Sequence, residues 1–168
     1  MSGDLKAKVQ GWLKTIGLTP VDQNDPQAVW HLAIDYPVRS GHQLHLVSPK
    51  DHPSAVVVVS GTEVSHEHRE AFDKLDDDGK DEFLWEFRRT INSVHVDFGL
   101  KGAEGPLDCP SHFQITSTRY EDGLTLDSFA QTLGAVFKTE LAAIWVIQRH
   151  LAPRSFGGGR FDFRRLGA

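Results

Sequence analysis

The residues of this chain best suited to chemistry are histidines and aspartates set at two-residue intervals in stretches that read as strands. From Trp30 the apolar positions Trp30, Leu32, Ile34 and Tyr36 alternate with His31, Ala33 and Asp35. Leu44 and Leu46 likewise flank His45, Val94 and Val96 flank His95, and Phe113 follows His112. If the apolar set faces a core, alternation sends His31, Asp35, His45, His95, Asp97 and His112 to the opposite face of one sheet. The simplest hairpin across Pro37 to Gly41 puts His45 opposite Ala33, with His31 and Asp35 as diagonal neighbours roughly 7–8 Å away. Such a cluster can hydrogen-bond internally or, after rotamer adjustment, hold a divalent metal through His31, Asp35, His45 and His95. A solvated sheet face and a partner surface are the competing readings.

Three other constellations fail on spacing. In Asp73 to Gly79 a calcium loop registered on its glycine would need an acidic first ligand and a bidentate glutamate, and Lys74 and Trp85 stand there instead. His66 and His68 are two residues apart, whereas the zinc-protease helix needs a separation of four. Cys109 precedes Pro110 in a loop with no helix N-terminus to activate its thiol. No catalytic residue and no cofactor is therefore expected.

The elements that would position the histidines follow from changes of period. Leu5, Val9, Trp12, Leu13 and Ile16 form one helical face ended by Gly17. Three extended runs follow, with Ala55 to Val59 apolar on both faces as an interior strand requires. Glu63 to Asn92 reads as helix with a break near Asp78 and Gly79. Two further alternating runs complete the sheet, and Leu124 to Leu151 forms a long helix with Asp122 or Thr125 at its cap. The expectation is an α+β domain over residues 1–152, an antiparallel five-stranded sheet in the order α-β-β-β-α-β-β-α, followed by a flexible Gly/Arg/Phe tail over 153–168.

Bulk properties narrow the partners. A chain of 168 residues suits one core. The net charge of −5 argues against wholesale nucleic-acid binding. Its distribution is uneven, with ten acidic and three basic residues from Glu63 to Glu86, and five arginines and one aspartate from Arg149 onward. No run is long and apolar enough for a bilayer. The N-terminus lacks a secretory pattern, and the single cysteine suits a reducing compartment, so a cytoplasmic protein is expected.

Around Ala142, Ile144, Trp145 and Val146 the long helix is apolar nearly all round, which predicts a homodimer seam. Phe161 and Phe163 could add to a sheet edge while Arg164 and Arg165 meet an acidic surface, so the tail is a candidate contact with a protein partner.

Four segments, Phe83-Leu-Trp-Glu-Phe-Arg88, Val96-Asp-Phe-Gly99, Tyr120-Glu-Asp-Gly-Leu-Thr125 and Val136-Phe-Lys-Thr-Glu-Leu-Ala-Ala-Ile-Trp145, carry a family resemblance. Over roughly Leu5 to Leu151 the chain resembles an uncharacterised family of small microbial proteins, domain of unknown function 2299, which is similar in fold to YbjN-like proteins and type III secretion chaperones. The resemblance implies a compact, dimeric α+β domain with no assigned catalytic residues. A non-enzymatic adaptor or chaperone-like module is the resulting expectation, with a metal-binding protein or metal-dependent enzyme as the alternative.

Overall fold

The computed structural model describes residues 2–152. Helix α1 (Ser2–Thr15) buries Leu5, Val9 and Leu13 on one stripe. It ends where Gly17 takes φ +79° and the Leu18 amide donates to the Leu13 carbonyl at 2.8 Å, the left-handed C-terminal turn that glycine permits without strain. Strands β1 (Val21–Asp22), β2 (Ala28–Asp35), β3 (Gln43–Pro49) and β4 (Ala55–Glu63) follow. The chain then forms α2 (His66–Asp73), α3 (Asp77–Ile91), β5 (Asp97–Lys101), β6 (His112–Tyr120) and α4 (Leu126–Leu151), with one short 3₁₀ turn at Glu121–Gly123.

All neighbouring strands are antiparallel, in the spatial order β1-β2-β3-β4-β6-β5. The sheet has six strands rather than five. The additional one, β1, spans two residues in a segment dense with turn-forming Asp and Pro, too short to show an alternation. The stretch expected as one broken helix from Glu63 to Asn92 is two helices starting at His66, with Glu63 the last residue of β4. The break falls at residues 74–76 rather than at Asp78 and Gly79, because the Asp76 carboxylate accepts from the Gly79 amide at 2.8 Å and caps a new helix. The aspartates that suggest a cation loop thus include a helix N-cap. Thr125, not Asp122, caps α4, in a reciprocal capping box with Ser128.

One face of the sheet carries the core. Leu32, Leu46, Val58 and Ser117 lie in one cross-strand row, and Ile34 and Leu44 in the next, all buried under the helices. On the outer face His31, His45, Val47, Val57 and Val59 are half-buried. Helix α4 is the central prop: Phe129, Leu133, Val136, Glu140, Ala143 and Ile147 form its buried stripe. Among the described residues no helix is long and apolar enough to cross a membrane.

The fifth strand corrects the sequence reading. Val94 is 76% exposed rather than facing the core, and His95 sits in a turn at φ 71°, so regular pairing begins only at Asp97. A left-handed residue rotates the side chains that follow, which breaks the alternation assumed from Val94 onward.

Candidate functional site

The register of β3 explains where the site lies. β2 and β3 pair as far as Asp35 and Gln43, and β4 and β6 pair as far as Glu63 and His112. Between these two halves, β3 and β4 pair only from Val47–Val57 to His45–Val59. Beyond that row the sheet splits. Residues 43–44 and 60–63 each have a strand on one side and none on the other among the described residues. A groove of about 1510 Å³ opens at the split, lined on one side by the turn from Pro37 to Gln43 and on the other by β4, β6 and β5, with Phe137, Leu141 and Ile144 of α4 beneath.

Its floor is an ionised pair. Glu140, only 2% exposed, accepts from His42 through Oε2 and from the Thr62 hydroxyl through Oε1, joining the two halves of the split sheet. Burial pushes the Glu140 carboxyl up, but the hydrogen bonds from His42 and Thr62 oppose it, and the carboxyl is held below its ordinary range. For His42, burial opposes the charged form, yet the Glu140 carboxylate and the Tyr36 carbonyl hold its pKa above the usual value. The Tyr36 carbonyl, 3.0 Å from Nδ1, can only accept, so both ring nitrogens carry hydrogens when His42 donates to Glu140.

The second feature runs along the outer face. His45 lies opposite Ala33, and His31 Nε2 is 2.9 Å from His45 Nδ1. His31 Nδ1 is 3.1 Å from the Asp25 carboxylate. With both rings neutral, His31 donates to Asp25 and accepts from His45, leaving His45 Nε2 as a lone-pair acceptor. His45 lines the groove, and Nε2 has no partner among the described residues. Burial first, and the neighbouring His31 charge second, push the His45 pKa down. Replacing His31 by Gln is therefore expected to raise the His45 titration midpoint part of the way toward 6.5, followed by NMR of the imidazole ring protons. An unmoved midpoint would show that burial alone sets it.

The proposed metal set is not assembled. Asp35 instead accepts from Ser40 at 3.2 Å, and His95 is on the far side of the sheet, its carbonyl accepting from Ser117 at 2.8 Å. Asp97 shares a cross-strand row with His45 but stands three strands away, about 14 Å. Both nitrogens of His31 are engaged, and among the described residues no three His, Cys, Asp or Glu side chains are placed to hold a metal ion. Asp25, the partner the sequence reading missed, lies in what reads as a turn, where its carboxylate also accepts from the Gln27 amide at 2.9 Å. Glu140 was also missed, although a charged residue at a buried stripe position is a legible signal.

Nor is a nucleophile assembled. Ser40 and Thr62, the groove's hydroxyl side chains, donate to Asp35 and Glu140. Burial pushes the Cys109 thiol up to about 11, so it is not a ready thiolate. The groove therefore offers shape, hydrogen bonding and charge rather than a complete catalytic arrangement.

In the dimer candidate, Val146 is 7% exposed and packs within its own domain, while Ala142 and Ile144 are half-buried and Trp145 is 45% exposed. Much of the apolar coat of α4 is thus covered by its own sheet and helices. Phe161, Phe163, Arg164 and Arg165 lie outside the described residues.

No functionally curated protein matches the chain. A crystal structure of an uncharacterized protein from Methanothermobacter thermautotrophicus is similar over 90% of this chain and 99% of that one, at 26% identity and a TM-score of 0.77. A chain of the ExsC–ExsE complex is similar over 92% of this chain and 98% of that one, at 17% identity and a TM-score of 0.52, and shares the type III secretion chaperone-like α+β fold. YbjN from E. coli is 15% identical over 86% of this chain and 89% of its own, with a TM-score of 0.46. The profile of the uncharacterized conserved proteins DUF2299 matches residues 5–147, and the chain belongs to that family.

Proposed function

We propose that this protein is a non-enzymatic adaptor or chaperone-like module that holds an extended segment of a protein partner in the groove between β3 and β4. The observation that supports this reading is the split itself: two strand edges face one another across a groove large enough for a peptide and have no strand between them. The relation in fold to a chain crystallised in a two-protein complex agrees with it. The test is capture of partners by the native chain and by Gly61→Trp, which fills the groove from a position where an added Cβ meets nothing within 4 Å. A partner held by the native chain and lost by a folded variant supports the reading, and equal retention by both overturns the groove as the site.

Association of two copies across the exposed part of α4 belongs to the same reading, with Trp145 at its centre. Sedimentation should then give a dimer for the native chain and a monomer for Trp145→Asp. A native monomer would remove the dimer from the proposal.

A further inference from the structure

The groove contains a row of residues whose composition points to the kind of segment it takes. Gly61 of β4, Gln114 of β6 and Gly99 of β5 lie side by side. At both glycines an added Cβ would meet nothing within 4 Å, and neither has a positive φ, so no local conformation or packing requires a glycine there. Glycine within a strand weakens it, and one explanation that fits open space is close approach of another backbone. Gln43 continues the row on the other side of the split, so two exposed carboxamides, Gln43 and Gln114, each able to donate and accept, stand on either side of Gly61. Together with the unpaired edges of residues 43–44 and 60–63, this arrangement suits a polypeptide main chain.

Charge supplies the second half. Arg39 and Lys101 line opposite walls of the groove, both exposed, and neither has an ion-pair partner among the described residues. Of the groove's two carboxylates, Glu140 is engaged by His42, and Glu63 lies in one row with His112 and Lys101. With Glu140 matched by His42, the two rim cations outnumber the one remaining carboxylate, Glu63, in a chain of net charge −5. A polyanion such as single-stranded nucleic acid fits less well. It prefers exposed aromatic platforms, whereas Phe113 is buried at 2% and Phe137 packs against Tyr36 and His42.

We infer that the groove binds an extended, acidic peptide segment, with its main chain against Gly61 between the edges of β3 and β4 and its carboxylates toward Arg39 and Lys101. This inference rests on the peptide-binding reading above and adds the partner's chemistry to it. Acidic side chains on alternate residues would meet the two rim cations, while the intervening aliphatic side chains point down toward Leu141 and Ile144.

The test is fluorescence anisotropy with labelled peptides of roughly eight residues, a common strand length. One alternates Glu or Asp with Val or Leu, the other replaces every acid by Lys, and a labelled oligothymidylate serves as the nucleic-acid probe. The acidic peptide is expected to bind the native chain at least about tenfold more tightly than the basic one. The double variant Arg39→Asp, Lys101→Glu should invert that preference, and its circular dichroism should match the native chain. Aspartate is chosen at position 39 because that residue sits at φ 63°, a conformation Asp tolerates. Equal binding of both peptides, or a preference that survives the double variant, would overturn the acidic inference while leaving peptide binding standing. Failure of both peptides to bind would overturn the acidic inference and the peptide-binding reading together. Oligothymidylate binding as tight as the acidic peptide, and lost in the same variant, would replace the peptide with nucleic acid.

Discussion

Glu140→Ala should lower the stability of this domain by about 3–5 kcal/mol, the usual cost of removing one partner from a buried ion pair. For a chain of this length that corresponds to a fall in Tm on the order of 10 °C. The cost is large because two groups converge on one buried carboxylate. His42 and Thr62 lose their acceptor, and the cavity formed lies beneath the split, where no strand pairing holds β3 to β4. Glu140→Gln keeps the shape and an acceptor for Thr62 but removes the charge, and should cost roughly 1–3 kcal/mol. A thermal melt showing both variants within 1 °C of the native chain would mean that the carboxylate is not what ties the two halves of the sheet together.

The same pair fixes a pH signature. The folded pKa of Glu140 is lowered, so its contribution is complete above the ordinary 4.5 and is lost as pH falls through the folded value. The folded pKa of His42 is raised, so its contribution is complete below 6.5 and is lost as pH rises through the folded value. Both are present together between 4.5 and 6.5, so the Tm gap between the native chain and Glu140→Ala should be widest there and narrow on either side. A gap independent of pH would assign the loss to packing alone.

How much of this was legible follows from what each residue's neighbours reveal. His31 and His45 could be paired from sequence, because strand period and a short hairpin are local properties, and the observed Ala33–His45 register matches that expectation. His95 could not be placed, because the alternation around Val94 and Val96 imitates a strand while the backbone at His95 is left-handed. Asp25 was hidden for a different reason: aspartate in a turn has a sufficient local role, and its contact with His31 depends on how the loop folds back over β2. Glu140 and His42 are 98 residues apart, and no period links them. The split is the least legible feature of all. It is an absence of pairing beyond Val59, and strand periods in β3 and β4 continue through it unchanged.

Gly61→Trp should abolish partner binding, weakening it by at least about a hundredfold, while leaving the fold intact. The two effects separate because the position is unusual. Most substitutions that fill a site also disturb the core, but Gly61 is exposed, lies on the outer face opposite Gln114, and has open space where a Cβ would stand. Its backbone is not in the left-handed region, so a side chain imposes no strain, and replacing glycine restricts the unfolded chain. The Tm should therefore stay level or rise slightly, by an amount equivalent to about 0.4–1 kcal/mol. Gly61→Ala provides the graded control: it makes the same backbone change with only a methyl group, so it should gain the stability and retain most of the binding. If Gly61→Trp binds as the native chain does, the groove at the split is not where the partner lies. If Gly61→Ala already abolishes binding while melting normally, the occupant's backbone passes within van der Waals reach of Gly61, as a glycine-floored groove requires.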